Sequence, residues 1–233
     1  MASGARRPLR ILISSGATRE PLDPVRFLSN YSTGYMGAQL AAQALRRGHR
    51  VTVVSGPSPE PLPSKARTIH VEAAREMADA LRRESPRADV VIMAAAVSDF
   101  TPERPSARKL PRRAGLTLRL RATPDLIARL PRRRGQVRAG FAVESGAVVP
   151  RARRKLRAKR LDLLVAQRLG RGPIASPFGR RPVEAWLLSP TETQRLGCLP
   201  KPRVARALLD KAETLWYGQP KPGSHATLAA PAR

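Results

Sequence analysis

Four short turns of this 233-residue chain are rich in the small residues that suit a phosphate-binding site. They read SSGAT at 14–18, SGP at 55–57, AAAVSDF at 94–100 and GFAVES at 140–145. Small side chains let backbone N–H groups approach a ligand closely, and a helix that begins after such a turn favours negative charge. The turns therefore predict a small-molecule site for a phosphorylated ligand.

A further stretch, RFLSNYSTGYMGAQLAAQAL at 26–45, places small and polar residues directly before an amphipathic helix. A simple turn needs only two or three such residues, and this segment has six. Asn30 has two possible roles at this position. It either forms an Asx turn or caps the N-terminus of the helix.

Several enzyme classes are excluded by the residues that are missing from the sequence. His49, His70 and His225 are scattered and Cys198 is the single cysteine, so the sequence predicts neither a metal-ligand cluster nor a disulfide framework. It contains no GxSxG nucleophile motif, no GxGxxG dinucleotide motif and no GxxxxGK[ST] phosphate loop. Covalent catalysis by Ser or Cys is therefore not expected.

Strand-like and helical segments alternate along the chain, which is typical of a parallel sheet with crossover helices. Strands are predicted at 9–15, 50–55, 67–71, 89–95, 137–142, 161–166 and 183–188. Helices are predicted at 34–47, 73–84, 124–132, 147–160 and 201–216. We predict an α/β fold, a Rossmann-like three-layer sandwich with a mostly parallel sheet, whose ligands bind at the carboxyl ends of the strands.

Two long segments interrupt the alternation and define the expected loops. Residues 99–123 form a flap with a basic cluster, and residues 168–182 form a second loop. We divide the chain into an N-terminal extension at 1–8, a domain at 9–217 and a disordered tail at 218–233, where Pro, Gly, Ala and Ser dominate.

The formal charge of +27 raises the possibility of nucleic-acid binding. Of the 44 basic residues, 37 are Arg and seven are Lys, and the Arg are spread from one end of the chain to the other. We interpret this as a compositional bias on solvated faces. The apolar runs are five to eight residues long and no signal-peptide core is seen, so we expect a cytoplasmic protein without a membrane partner.

The order of several motifs identifies a family resemblance. GATREPLDPVRFLSNYSTGYMG, AAAVSDF, RKL, TPDLI, GFAVES and KLRAKRLDLLVA follow one another between about Leu9 and Leu188. This pattern resembles the phosphopantothenate-cysteine ligase family, the synthetase half of the bifunctional coenzyme A biosynthesis protein of many bacteria. The family is also described as the DNA/pantothenate metabolism flavoprotein family. The first motif, with its S-N-x-S-x-G-x-M-G order, is the most specific.

The resemblance implies a reaction in two steps that uses a nucleotide and Mg²⁺. The carboxylate of 4'-phosphopantothenate attacks the α-phosphate to give an acyl-nucleotide and pyrophosphate, and the amine of L-cysteine then displaces the nucleotide. The resemblance implies CTP in preference to ATP. Such chemistry needs cations around a triphosphate and a donor for the activated carbonyl, but little acid–base machinery.

The resemblance also implies which residues form the site. Asn30 and Lys109 are the implied catalytic residues, Asn30 at the acyl intermediate and Lys109 in the flap. Asp99 is implied as a nucleotide or metal contact, with a turn cap as its alternative role. The remaining implied nucleotide-binding residues are Gly16, Ser32, Gly34, Gly37, Met93, Ala94, Ala95, Pro124, Asp125, Leu126, Ile127, Phe141, Lys155 and Lys159.

The lysines offer a check that is internal to the sequence. Three of the seven lysines, Lys109, Lys155 and Lys159, fall at the family's functional lysine positions in a chain that otherwise uses Arg. Lys155 and Lys159 are four residues apart, so both lie on one face of one helix. On a solvated face we would expect this chain to carry Arg at these positions. The use of Lys instead indicates a functional role, since Lys and Arg are not interchangeable at a phosphate.

The sequence departs from the family pattern at a few positions that affect the flap and its surroundings. Pro111 and Arg112 follow Lys109 where further lysines are usual, Thr123 replaces an Asn before Pro-Asp, and Gln167 replaces an Asn after a strand. Ala17 stands where a second Gly is common. These changes bear on flap geometry and nucleotide preference.

We expect no FMN and no decarboxylation by this chain, because no flavin-binding domain precedes the matched region. A separate decarboxylase would act downstream, and the resemblance implies a homodimer with the flap and the Asn30 loop near the subunit contact. The alternatives are a basic nucleic-acid-binding protein, an inactive relative on the same scaffold, or an NAD(P)-dependent reductase. The reductase is disfavoured by the missing glycine motif, and Tyr217 and Lys221 give a YxxxK pattern only outside the folded body.

Overall fold

The predicted alternation of strands and helices builds one large sheet in the computed structural model, which describes residues 6–112, 114–170 and 177–219. The strands are β1 Arg10–Ser15, β2 Arg19–Pro21, β3 Phe27–Ser29, β4 Arg50–Ser55, β5 Arg67–His70, β6 Val90–Met93, β7 Phe100–Pro102, β8 Leu120–Ala122, β9 Val137–Glu144, β10 Leu163–Arg168, β11 Val183–Leu188 and β12 Thr193–Leu199. The α-helices of these ranges are α1 Tyr35–Arg46, α2 Ala74–Glu84, α3 Leu126–Arg129, α4 Val148–Ala158 and α5 Lys201–Tyr217.

The eight-stranded sheet has the order β12-β11-β10-β9-β6-β1-β4-β5. The six strands from β5 to β10 in this order are parallel to their neighbours, whereas β11 and β12 are antiparallel. The chain runs outward from β1 through β4 to β5, and then returns to β6 on the other side of β1. This reversal makes the gap beyond the ends of β1 and β6 the expected ligand crevice, and the predicted mostly parallel Rossmann-like fold is confirmed.

Helices cover both faces of the sheet and form the predicted three layers. Helices α1 and α5 pack with Ile11 and Ile13 of β1 in one core cluster. Helices α2, α3 and α4 pack with Leu12 of the same strand in the other. Because successive side chains of a strand point to opposite faces, a strand buried on both sides must be apolar throughout. This explains the continuous apolar run of the central strand β6, Val90–Met93.

Several elements differ from the sequence predictions. The helix predicted at 124–132 is only the short α3, because Leu130 precedes Pro131 and lies in an extended conformation. β12 was not predicted; it adds an antiparallel edge strand with mostly part-exposed or exposed residues. Within the predicted flap, β7 and β8 form an additional short pair of strands.

The long flap is closed at its base by a small antiparallel hairpin. β7 pairs with β8, and Glu103 N donates to Arg119 O at 3.0 Å one step further out. The second predicted loop, 168–182, lies partly outside the described residues, since 171–176 are not among them.

The predicted domain boundaries stay predictions. The predicted disordered tail lies outside the described residues from 220 onward. The short N-terminal segment packs against the end of α5, where the Tyr217 hydroxyl donates to Arg7 O at 2.7 Å and the Arg7 guanidinium lies 4.7 Å from the Trp216 ring centroid. No helix in the described ranges is long and apolar enough to cross a membrane.

Candidate functional site

A cavity of about 610 Å³ opens at the carboxyl ends of the central strands, where the sheet topology places the ligand crevice. Its walls come from the loop before α1, the ends of β6 and β9, the segment around α3, and α4. Fourteen of the residues predicted for the site line this one cavity: Asn30, Ser32, Gly34, Met93, Ala94, Ala95, Asp99, Pro124, Asp125, Leu126, Ile127, Phe141, Lys155 and Lys159.

Two predicted residues, Gly16 and Gly37, support the cavity from behind and do not line it. Gly16 has φ +80°, and a Cβ on it would lie 2.7 Å from Gly56 O. A Cβ on Gly37 would lie 2.2 Å from the Ser15 Oγ atom and 2.5 Å from its Cβ atom. Both glycines therefore permit close packing at the end of β1.

The segment between β3 and α1 forms one wall of the cavity through local hydrogen bonds. Gly34 adopts φ +78° at the entry to α1, where a side chain would be strained. Its N–H points to Ser32 Oγ at 3.3 Å, and its carbonyl accepts a hydrogen bond from Ser15 Oγ at 3.2 Å. Gly34, Tyr35 and Met36 line the cavity at the N-terminal end of α1, and this end of a helix favours an anion.

Asn30 is held at the rim of the cavity by its amide group. Its Nδ2 atom donates to Ala96 O at 3.1 Å, and its side chain is exposed. The neighbouring Ser29 Oγ donates to Thr18 O at 2.8 Å, which ties the same segment to the link between β1 and β2. With its N–H₂ group directed at a carbonyl, Asn30 does not act as the side-chain cap of α1, whose N-cap residue is Gly34.

Lys155 and Lys159 approach the cavity from the C-terminal end of α4. Lys155 is half-buried and forms no hydrogen bond or ion pair with any residue of the described ranges, although Glu144, Asp99 and Asp125 act on it at longer range. Burial, and then the nearby Lys159 charge, lower the pKa of Lys155. Such a partly desolvated ammonium is suited to bind an anion.

Lys159 has a different environment, although it is only one turn away. It follows the last residue of α4, and its Nζ atom lies 3.2 Å from Asp125 Oδ2. Asp125 also accepts a hydrogen bond from Ala128 N at 3.3 Å and so caps α3. The charge of Lys159 is thus partly neutralised before any ligand binds.

Lys109, the predicted catalytic residue of the flap, does not line the cavity; it is exposed on the flap. The adjacent Leu110 is fixed to the β2–β3 turn, because its N–H donates to Asp23 Oδ2 at 3.1 Å and its carbonyl accepts from Arg26 at 2.8 Å. The Arg26 guanidinium holds the pKa of the Asp23 carboxyl well below its usual range. Buried Asp23 therefore anchors the flap in the conformation described.

Other cavity residues were not predicted as site residues. Thr123 and Gln167, which replace family asparagines, both line the cavity, as do Tyr35, Phe178 and Lys201. Lys201 is buried at 4% exposure. The sequence signal for Lys201 was available, since it is one of seven lysines and lies three and four residues before the apolar positions 204 and 205.

The cavity residues suit binding and positioning more than acid–base catalysis. No His or Cys of residues 6–112, 114–170 and 177–219 lines the cavity, and these residues contain no cluster of three or more His, Cys, Asp or Glu that could hold a metal alone. Asp99 is the predicted metal contact and lines the cavity as an exposed carboxylate. A lone carboxylate fits a Mg²⁺ ion that arrives with nucleotide phosphates, because Mg²⁺ is usually held by one or two carboxylates together with phosphate oxygens and water.

The sequence was compared with known families and proteins. Residues 7–215 match the family described as DNA/pantothenate metabolism flavoprotein C-terminal domain. The coenzyme A biosynthesis bifunctional protein CoaBC of Mycobacterium bovis is 38% identical over 199 residues, which are 79% of this chain and 47% of that protein. A protein named cysteine/cysteine sulfinic acid decarboxylase, from an unknown prokaryotic organism, is 41% identical over 164 residues, which are 69% of this chain and 46% of that protein.

A comparison of the folds gives the same family. The crystal structure of the C-terminal domain of a coenzyme A biosynthesis bifunctional protein CoaBC superposes with a TM-score of 0.74 at 32% sequence identity. The match covers 92% of this chain and 100% of the other. The chain spans about half the length of the curated relatives it matches.

Proposed function

The chain belongs to the DNA/pantothenate metabolism flavoprotein C-terminal domain family, and from this premise we propose that it is a ligase that joins 4'-phosphopantothenate to L-cysteine in coenzyme A biosynthesis. The observation that carries the proposal is the half-buried Lys155 without an ion-pair partner among the described residues, in a cavity that also contains Asn30 and the start of α1. This combination supplies cationic and N–H groups for a polyphosphate and an amide beside it.

The proposed reaction requires two bond exchanges. A carboxylate oxygen of phosphopantothenate attacks the α-phosphorus of the nucleotide, the bond to the β-phosphate breaks, and pyrophosphate leaves. The cysteine nitrogen then attacks the acyl carbon and loses a proton, and nucleoside monophosphate leaves. Both leaving groups are stable anions, so the protein needs to bind and orient the reactants more than to transfer protons.

The described contacts support distinct roles for the residues. Lys155 stabilises phosphate charge, because its burial strengthens its attraction to an anion. Lys159 can exchange its Asp125 contact for a phosphate. The amide of Asn30 orients the acyl group near Ala96. We further propose that Lys109 reaches the nucleotide when the flap moves, since Lys109 lies outside the cavity while Leu110 is bound to Asp23.

Mg²⁺ and the nucleotide complete the proposal. When bound, Mg²⁺ would neutralise phosphate charge and polarise the α-phosphate. Asp99 is the residue that would hold it, since the other carboxylate lining the cavity, Asp125, is paired with Lys159. We propose CTP as the nucleotide rather than ATP, as the resemblance to the bacterial family implies, and no FMN.

A homodimer is supported by exposed apolar side chains on the hairpins beside the cavity. The β2–β3 hairpin and the segment after it expose Phe27 and Tyr31, and the flap exposes Phe100 and Leu116. Large apolar side chains that cluster on one surface favour an interface. We propose that a second copy covers them, that the protein is cytoplasmic, and that a separate decarboxylase consumes the product.

The proposal is tested by measuring pyrophosphate release with phosphopantothenate, cysteine and Mg²⁺ together with either CTP or ATP. We expect release that requires phosphopantothenate and a nucleotide, with CTP supporting the faster rate. A purified, folded protein that releases no pyrophosphate with either nucleotide would contradict the proposed function. A faster rate with ATP would contradict only the nucleotide preference.

A further inference from the structure

Lys201 is a buried cation at a position that the helix pattern assigns to an apolar residue. The buried face of α5 consists of Lys201, Val204, Ala205, Leu208, Leu209 and Ala212. Lys201 is only 4% exposed. Burying an ammonium group is costly unless it is hydrogen-bonded and its charge is compensated. A lysine at this position therefore needs a partner that explains it.

Among the described residues, Lys201 has one hydrogen-bond acceptor and no ion-pair partner of its own. The Nζ atom of Lys201 donates to Gly179 O at 2.6 Å. An ammonium has three donors, and within residues 6–112, 114–170 and 177–219 no other acceptor is bound to it. Glu60 is the carboxylate that acts on it electrostatically. Its two oxygens already accept hydrogen bonds from Arg180, Oε2 from Nη2 at 3.0 Å and Oε1 from Nε at 3.3 Å. The positive charge of Lys201 thus lacks an ion-pair partner of its own in these ranges.

The contacts of Lys201 connect it to the first residue of helix α1 through the segment Gly179–Arg180. Gly179, which accepts its hydrogen bond, is followed by Arg180, and the Arg180 guanidinium lies 5.3 Å from the centroid of the Tyr35 ring. Tyr35 is the first residue of α1. Lys201, Gly179 and Tyr35 all line the cavity. Lys201 and Tyr35 thus line one cavity and both contact the segment Gly179–Arg180, whereas Lys155 belongs to α4.

We propose that Lys201 binds a phosphate group of the ligand beside the N-terminus of α1, as a cationic contact separate from Lys155 and Lys159. The inference rests on the proposed function, because it assumes phosphorylated ligands. Two sources of this phosphate are possible, the polyphosphate of the nucleotide and the monophosphate of phosphopantothenate. Separate titrations of the nucleotide and of phosphopantothenate distinguish them.

A purely structural role would make Lys201 only a tie for the segment around Gly179. Proton uptake separates the two roles. Burial lowers the pKa of Lys201 to about 8, with Glu60 opposing the shift. The nearest further charged or titratable groups that the contacts connect to it are Arg180, which follows Gly179, and Tyr35, whose ring faces the Arg180 guanidinium. A phosphate bound directly to the ammonium would raise the pKa again, so binding near pH 8 would take up a proton.

The experiment is titration calorimetry near pH 8 in buffers of different ionisation enthalpy. Mg-CTP, Mg-ATP and phosphopantothenate are each titrated into the wild type, Lys201→Met and Lys211→Met. Lys211 is the matched control, a lysine of the same helix that pairs with Glu192 at 2.6 Å. We expect Lys201→Met to weaken binding of the phosphate source about ten- to hundred-fold and to lower the number of protons taken up. Lys211→Met should change neither.

The ligand whose affinity falls identifies the source of the phosphate. Unchanged affinities for all three ligands in Lys201→Met would overturn the inference. Weaker binding with unchanged proton uptake would also overturn it, since Lys201 would then act only through Gly179. Methionine fills a similar volume without the buried charge, so the variant should melt no lower than the wild type. If the variant does not fold, wild-type binding without proton uptake between about pH 7 and 9 overturns the inference.

The outcomes separate this inference from the proposed function. Proton-linked binding of a nucleotide that depends on Lys201, without pyrophosphate release, would support the inference and contradict the ligase proposal. Normal turnover with unchanged affinities in Lys201→Met would contradict the inference and support the ligase proposal.

Discussion

Replacing Gly37 by alanine tests how α1 is positioned at the floor of the cavity. A Cβ at residue 37 would lie 2.2 Å from Ser15 Oγ and 2.5 Å from Ser15 Cβ. The Oγ atom can rotate, but Ser15 Cβ is fixed to β1, where Ser15 is 1% exposed. The separation must therefore grow to about 3.4 Å before ordinary contact is restored, and α1 must move away from the sheet.

The expected cost follows from this overlap. Inserting a methyl group into a packed contact costs about 1–3 kcal/mol, whereas Gly→Ala in an unhindered helix would stabilise by about 0.5–1 kcal/mol. For a domain of this size each kcal/mol shifts the melting temperature by about 2–4 °C. We therefore expect Gly37→Ala to lower the melting temperature by several degrees. The displaced α1 should also weaken nucleotide binding, because Gly34 and Met36 line the cavity.

Thermal unfolding of Gly37→Ala is compared with that of Gly115→Ala. Gly115 is the matched control, since a Cβ there would meet nothing within 4 Å and its φ does not lie in the left-handed region. We expect Gly115→Ala to have the same melting temperature as the wild type. A Gly37→Ala variant that melts at or above the wild-type temperature would refute the close approach of α1 to β1.

Four further variants test other parts of the site. Asn30→Asp should lower turnover strongly without changing the melting temperature, because the Nδ2 donor is lost at an exposed position; wild-type turnover would remove Asn30 from the site. Lys155→Met should weaken nucleotide binding about ten- to hundred-fold, and Lys159→Met less, because Lys159 is already paired with Asp125; the reverse order in calorimetry would contradict this. Asp23→Asn should speed proteolysis of the flap at neutral pH. The pKa of Asp23 is lower in the folded than in the unfolded state, so its stabilising effect is present above the unfolded pKa and is lost as the pH falls through the folded pKa. Equal proteolysis of variant and wild type at neutral pH would refute the role of Asp23 in holding the flap.

The parallel core of the fold could be predicted because its sequence signals are local. A continuous apolar run such as 90–93 identifies a strand buried on both faces. The antiparallel edge was harder, because β12 combines exposed and part-buried residues without strict alternation. Nothing in the sequence of β11 alone fixed the antiparallel direction in which it pairs with β10.

The site could be predicted in part for a related reason. Asn30 and Lys155 fall within ordered motifs, so the family resemblance identified them before the structure brought them to one cavity. Lys201 lies on the buried face of α5, whose other residues are apolar. The sequence therefore marks Lys201 as unusual, and the structure places it in the lining of the cavity. The position of Lys109 depends on the contact between Leu110 and Asp23, which are far apart in the sequence.

The central claim is tested most directly by identifying the product. The protein is incubated with phosphopantothenate, cysteine, Mg²⁺ and CTP, and the mixture is analysed by mass spectrometry together with a quantitative pyrophosphate assay. We predict phosphopantothenoylcysteine and pyrophosphate in equal amounts, and no amide product when cysteine is omitted. Pyrophosphate without the amide, or neither product from a folded protein, would contradict the account.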